Sequence, residues 1–174
     1  MIPTRYGLYS IALLPFFYGP GSVSPEATDP EDLTTEPMLR IVRPAAEAAF
    51  GIGVCPTGID VELWPPNHKP VDIDLQEVLG PNTQGIVITS ITQDEPVEGL
   101  GDGNTVCDGS GIGTSVAHIR SERSGRENGR VYEITYSAFA GGCEGFVTVS
   151  VPHDQSGRLA IDDGQTFDST EGCP

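Results

Sequence analysis

Positive charge is scarce in this chain. Its 174 residues hold 9 Lys and Arg against 25 Asp and Glu, a formal net charge of −16. Such a field repels phosphate backbones and anionic headgroups, so nucleic acid and charged membrane surfaces are not expected as partners. It favours cations, Ca2+ above all. Apolar residues are also few, at 37%, while Gly and Pro number 22 and 15. A chain short of core material and rich in turn formers suits an all-β domain with loose extensions.

Catalytic signatures are missing too. There is no G-x-S-x-G elbow, and Gly109-Ser110-Gly111 reads as a loop rather than a strand-to-helix turn. Residues 101–113, GDGNTVCDGSGIG, have the glycines of a phosphate loop but no Lys and no following helix. His68, His118 and His153 are scattered, which speaks against a zinc site. The expectation is a protein without enzyme activity. With one Trp and five Tyr, there is little to build a row of exposed aromatics. A carbohydrate-binding accessory domain is therefore the alternative rather than the first reading.

The four cysteines, Cys55, Cys107, Cys143 and Cys173, include no C-x-x-C pair, which argues against a zinc cluster or a thioredoxin-like site. An even number at wide spacing predicts two disulfides and an oxidising compartment. Near the N-terminus, Arg5 precedes an apolar run, LYSIALLPFFY (8–18), of signal-peptide length and too short to span a bilayer. Pro15 interrupts it, and no A-x-A site follows. A signal peptide is expected over 1–19, with Met38 as an alternative start, a secreted or cell-surface location, and no membrane insertion of the mature domain. Residues 20–50 predict an acidic disordered linker, with a short helix within 38–50 after Pro44. The domain proper is expected over 51–155 and a C-terminal tail over 156–174.

From Gly58 onward the hydrophobic period is two. Ile59, Val61 and Leu63 alternate with Asp60 and Glu62; Val71, Ile73 and Leu75 alternate with Asp72 and Asp74. Further runs over 84–92, 114–122, 130–139 and 146–152, separated by Gly-rich turns, predict an antiparallel β-sandwich. Between the first two runs stands WPPNHKP (64–70). A Pro-Pro pair cannot continue a ladder, so Pro65 and Pro66 are expected to break one strand into halves, 58–64 and 69–77, on different sheets. Trp64 is expected to cover the sheet edge at that crossing.

The segments LWPPNHK, ITSITQDEPVEGLGDGNT, RSERSGRENGRVYEITY and VTVSVPHDQ resemble Ig-like domains of bacterial secreted and surface proteins related to hyalin-repeat (HYR) modules. The resemblance covers about residues 58–155. It implies an Ig-like sandwich on an extracellular protein, without an enzyme activity, whose partner is an unidentified protein or glycan.

If the first strand runs from one end of the sandwich to the other and 84–92 returns, Cys55, Cys107 and Cys143 fall at the same end. The leading expectation is then Cys107–Cys143, which ties down residues 93–113, with Cys55–Cys173 closed by the tail. Cys55–Cys143 with Cys107–Cys173 is the alternative. Tyr132, just after the turn at 124–129, is placed for a tyrosine corner, its hydroxyl bonding to upstream backbone. The basic turn RSERSGRENGR (120–130) reads as an exposed loop whose Gly125, Asn128 and Gly129 supply positive φ.

The best candidate for ligand chemistry is DEPVEGLGDGNTVCD (94–108). Asp94, Glu95, Asp102, Asn104 and Asp108, with Glu98 beside them, offer the oxygen ligands that Ca2+ takes on a Gly-containing loop. Gly113 stands where an EF-hand needs Glu, so the expected site is a loop site at the end of a sandwich.

Overall fold

The computed structural model describes residues 36–43, 54–98 and 105–174. The expected signal peptide, most of the linker, Asp102 and Asn104 lie outside the described residues. The fold is all-β, two sheets packed as a sandwich, with a single short helix among the described residues.

The strands are β1 (Met38–Arg43), β2 (Ile59–Trp64), β3 (Pro70–Asp74), β4 (Val87–Gln93), β5 (Gly109–Ser110), β6 (Val116–Arg120), β7 (Gly129–Ala138), β8 (Cys143–Pro152) and β9 (Phe167–Asp168). One sheet has the order β1-β2-β8-β7-β4-β9 and the other β3-β6-β5. All pairings are antiparallel except β2 with β8, where Ile59 lies beside Val147 and Glu62 beside Ser150 in parallel register. An early strand thus lies beside a late one, joining residues 59–62 to 147–150.

Period-two alternation puts one face of each strand into the core. Ile59, Val61 and Leu63 of β2, Tyr132, Ile134, Tyr136 and Ala138 of β7, and Val147, Val149 and Val151 of β8 are fully buried against Ile73, Ala117 and Ile119 of the small sheet. In β4 the register shifts between Ile88 and Ser90, so Ile88 and Ile91, three residues apart, both point inward. Asp74 caps the helix α1 (Leu75–Leu79) by accepting from Gln76 N at 2.8 Å, and Leu75 and Leu79 close the core beneath it.

The break at WPPNHKP is real. β2 ends at Trp64, the Trp64–Pro65 peptide is cis, and β3 starts at Pro70 on the other sheet. Residues 75–77, read as strand, form α1 instead. The direction of travel also differs from expectation. Pro70 pairs with Arg120, whose carbonyl accepts from Tyr132 Oη near the start of β7; Leu75 N reaches Ser115 O, and Ile88 N reaches Thr114 O near the start of β4. β3 therefore runs back toward the end where β2 began. The first strand doubles over between the sheets rather than continuing in one direction.

That reversal corrects the disulfides. The bonds are Cys55–Cys143 and Cys107–Cys173. Parallel pairing of β2 with β8 brings their N-terminal ends, and with them Cys55 and Cys143, to the same end. The doubled strand sends β4 toward the opposite end, so the loop after it, with Cys107, stays there. The tail returns along β4 as β9, and Gly109 N and Cys107 N bond to Ser169 O and Glu171 O. Cys173 thus arrives beside Cys107, not Cys55.

The boundaries 51–155 are too narrow as well. β1 and β9 come from the segments assigned to linker and tail. Residues 38–43 form a strand, because Ile41 and Val42 are β-branched and β2 offers its ladder edge, pairing Leu39 with Leu63 and Ile41 with Val61; the helix expected after Pro44 lies outside the described residues.

Candidate functional site: a buried charge cluster and an open groove

Three segments meet at the end of the sandwich where β7 begins. They are the loop after β4, the approach to β5, and the turn after β6. Arg130, the second residue of β7, is fully buried among them. Its Nε donates to Glu95 Oε2 at 3.0 Å. One terminal nitrogen donates to Asp108 Oδ2 at 2.7 Å and to Glu122 Oε1 at 3.1 Å, and the other to the Pro96 carbonyl at 3.3 Å. Glu95, Asp108 and Glu122 are themselves buried. Gln93 Nε2 donates to Asp108 Oδ2, and Ser124 N donates to Glu95 Oε2 at 2.7 Å. Tyr132 Oη lies 3.3 Å from Arg130 and donates to the Arg120 carbonyl at 2.9 Å. That last bond is the tyrosine corner expected from the sequence.

Arg120 sits at the border of the cluster, its Nε 3.9 Å from Asp108 and 3.7 Å from Glu122. Three carboxylates thus face two guanidiniums, which stay charged. Burial, then the hydrogen bond and charge of Asp108, push the Glu122 carboxyl up to about 8 against the opposing pull of Arg130. At neutral pH Glu122 holds its proton, and the cluster is balanced. Its Oε2 lies 3.2 Å from His68 Nδ1 and 3.1 Å from Thr105 Oγ1. Burial raises the Tyr132 phenol far above its ordinary value.

The turn 120–130 is exposed only at its tip, residues 125–127, and of Gly125, Asn128 and Gly129 only Gly129 has a positive φ. Arg120 and Arg130 face inward, and Ser121 and Glu122 are fully buried. The calcium residues also part company. Glu95 and Asp108 are held by Arg130, while Asp94 accepts from Val131 N at 2.8 Å and from Asp163 N at 3.4 Å. Burial pushes Asp94 up to about 6. Among the described residues, no three of the His, Cys, Asp and Glu side chains gather to hold a metal ion. Of the expected histidines, His68 touches this cluster, His118 bonds Asp72 on the surface of the small sheet, and His153 is exposed.

Trp64 does not seal the sheet edge. β1 takes that edge, with Met38 opposite Trp64 and Arg40 opposite Glu62. Alternation turns Trp64 to the outer face, half-buried, with Asp60 and Glu62. There it lines an open groove of about 580 Å³ between the strands and the segment after β8. A second hollow of about 530 Å³ adjoins it, sharing Asp154, Arg158 and Leu159. The inward arginine had one sequence signal: Arg130 falls in the same period-two series as Tyr132 and Ile134. The groove had none, because its far wall is an irregular segment distant in sequence.

Comparison with protein-family models, with curated proteins and with solved structures finds no match to this chain.

Proposed function

We propose that the protein is a non-enzymatic, disulfide-tied Ig-like module that works outside the cytoplasm as an interaction or structural domain, related to hyalin-repeat modules. The observation that carries this reading is where the buried ionisable groups sit. Arg130, Glu122, Asp108 and Tyr132 are shut inside the fold and bonded to one another. Groups poised for catalysis face a cavity that a substrate can enter; these hold loops together. Two disulfides closing spans of 88 and 66 residues support an oxidising location. No helix among the described residues is long and apolar enough to cross a membrane.

Fractionation of producing cells, with thiols alkylated at lysis, tests the location. The chain is expected outside the cytoplasm with no cysteine alkylated until reductant is added. A cytoplasmic pool with all four cysteines alkylated before reduction would overturn the reading.

A further inference from the structure

We propose that the groove at Trp64 binds a neutral oligosaccharide. The proposal rests on the interaction-module reading and names its ligand. Trp64 is the chain's single Trp, yet it is spent on the outer face rather than in the core. Met38 and Leu159, which are 67% and 41% exposed, flank it and give the groove an apolar floor. Such a surface suits the C–H face of a pyranose, which stacks on indole while its hydroxyls point to the rim.

The rim supplies both kinds of hydrogen-bonding group. Arg40 and Arg158 donate only, Glu62 and Asp154 accept only, and Gln155 does both. Each sugar hydroxyl donates and accepts at once, so a vicinal pair needs this mixture. Among the described residues, the side chains of Arg40, Glu62, Gln155 and Arg158 are in no hydrogen bond or ion pair. They are free to meet a ligand.

Charge selects the class. Two guanidiniums against two carboxylates leave the groove balanced, in a chain of net charge −16. An anionic ligand would meet an unfavourable overall field, and a cationic one would find stronger acidic surface elsewhere. A neutral polyol meets neither penalty. The adjoining hollow, which shares Asp154, Arg158 and Leu159 with the groove, extends the surface beyond the size of one sugar ring.

Two assays on the full chain test this. Native electrophoresis is run through gels containing soluble neutral glucan, mannan or galactan, and Trp64 emission is titrated with neutral oligosaccharides from the same polymers. Retardation in at least one gel is expected, with a saturable emission change on the matching oligosaccharide. Arg158→Ala and Gln155→Ala, both exposed, should weaken association about tenfold without moving the melting temperature. No retardation and no emission change across the panel overturns the proposal, while extracellular recovery with both disulfides leaves the module reading standing. Emission that responds only to an anionic polymer, or to protein concentration alone, overturns it in favour of a charged ligand or of self-association.

Discussion

Replacing Arg130 with Met keeps much of the side-chain volume and removes the charge on which Glu95, Asp108 and Glu122 converge. Glu122 already carries its proton at neutral pH, so the loss falls on Glu95 and Asp108. A buried carboxylate stripped of its partner escapes by taking up a proton. With an ordinary pKa near ~4, that costs about 4 kcal/mol at pH 7 and about 1–2 kcal/mol at pH 5. Asp108 is fully buried and Glu95 nearly so. Arg120 lies too far from Asp108, at 3.9 Å, to replace the 2.7 Å bond from Arg130. The expected destabilisation is therefore about 4–6 kcal/mol at pH 7, at or above the usual range for breaking a buried pair, and about a third of that at pH 5. Urea unfolding at both pH values measures it. Arg130→Lys keeps the charge without the planar fork and should fall between. A loss below about 1 kcal/mol, or one that is the same at both pH values, would show that Arg130 does not hold these charges.

The wild type carries a pH signature of its own. Glu122 titrates near 8 folded and near 4.5 unfolded, so over that interval the folded chain binds more protons and stability falls as pH rises. Asp94, raised to about 6, adds to the fall in its lower part. Glu122→Gln should flatten the melting curve between pH 6 and 8, and a wild-type stability that rises over this window contradicts the assignment. Gly145→Ala places a Cβ 2.7 Å from Tyr136 Oη and 2.8 Å from the Pro56 carbonyl, parting a buried hydrogen bond, and should cost about 2–4 kcal/mol by thermal melt. Trp64→Ala, on a half-buried outward residue, should cost only about 1–2 kcal/mol, and native Trp emission should be intermediate; a fully buried emission maximum would place the indole elsewhere. Because Arg130 already occupies Glu95 and Asp108, Ca2+ against EDTA at fixed ionic strength should leave the melting midpoint unchanged, whereas a rise abolished by Asp102→Ala would restore the loop as a calcium site.

Strands and core were legible because period two is a local signal. Ile59-Val61-Leu63 and Tyr132-Ile134-Tyr136 declare their inner faces without reference to anything distant. The Pro-Pro break was legible for the same reason: a missing N–H is a property of the residue itself. Direction after the break was not. Whether residues 70–74 continue or reverse depends on which neighbour receives them, here β6 through Arg120 and Ile119. That one unknown moved Cys107 to the other end and exchanged the disulfide partners.

The charge cluster was hidden by composition. Arginines in a Gly-rich turn normally mean a solvated loop, and only three acidic side chains from separate segments turn Arg130 inward. Two of those acids, Glu95 and Asp108, sat in the stretch read as a cation-binding loop, and the third, Glu122, in the turn read as exposed. Among the described members of that loop, Glu95 and Asp108 hold the Arg130 guanidinium and Asp94 accepts from backbone N–H groups. The strand β1 escaped because its apolar residues are few and its reason for being extended is the open edge of β2.

Two claims are central: the strand broken at WPPNHKP doubles back between the sheets, and, as we propose, the chain is oxidised outside the cytoplasm. Peptide mapping under non-reducing conditions, on protein recovered from producing cells, tests this most directly. The predicted crosslinks are Cys55–Cys143 and Cys107–Cys173, with no free thiol. A Cys107–Cys143 or Cys55–Cys173 peptide would contradict the reversal at WPPNHKP, and four free thiols would contradict the oxidising location.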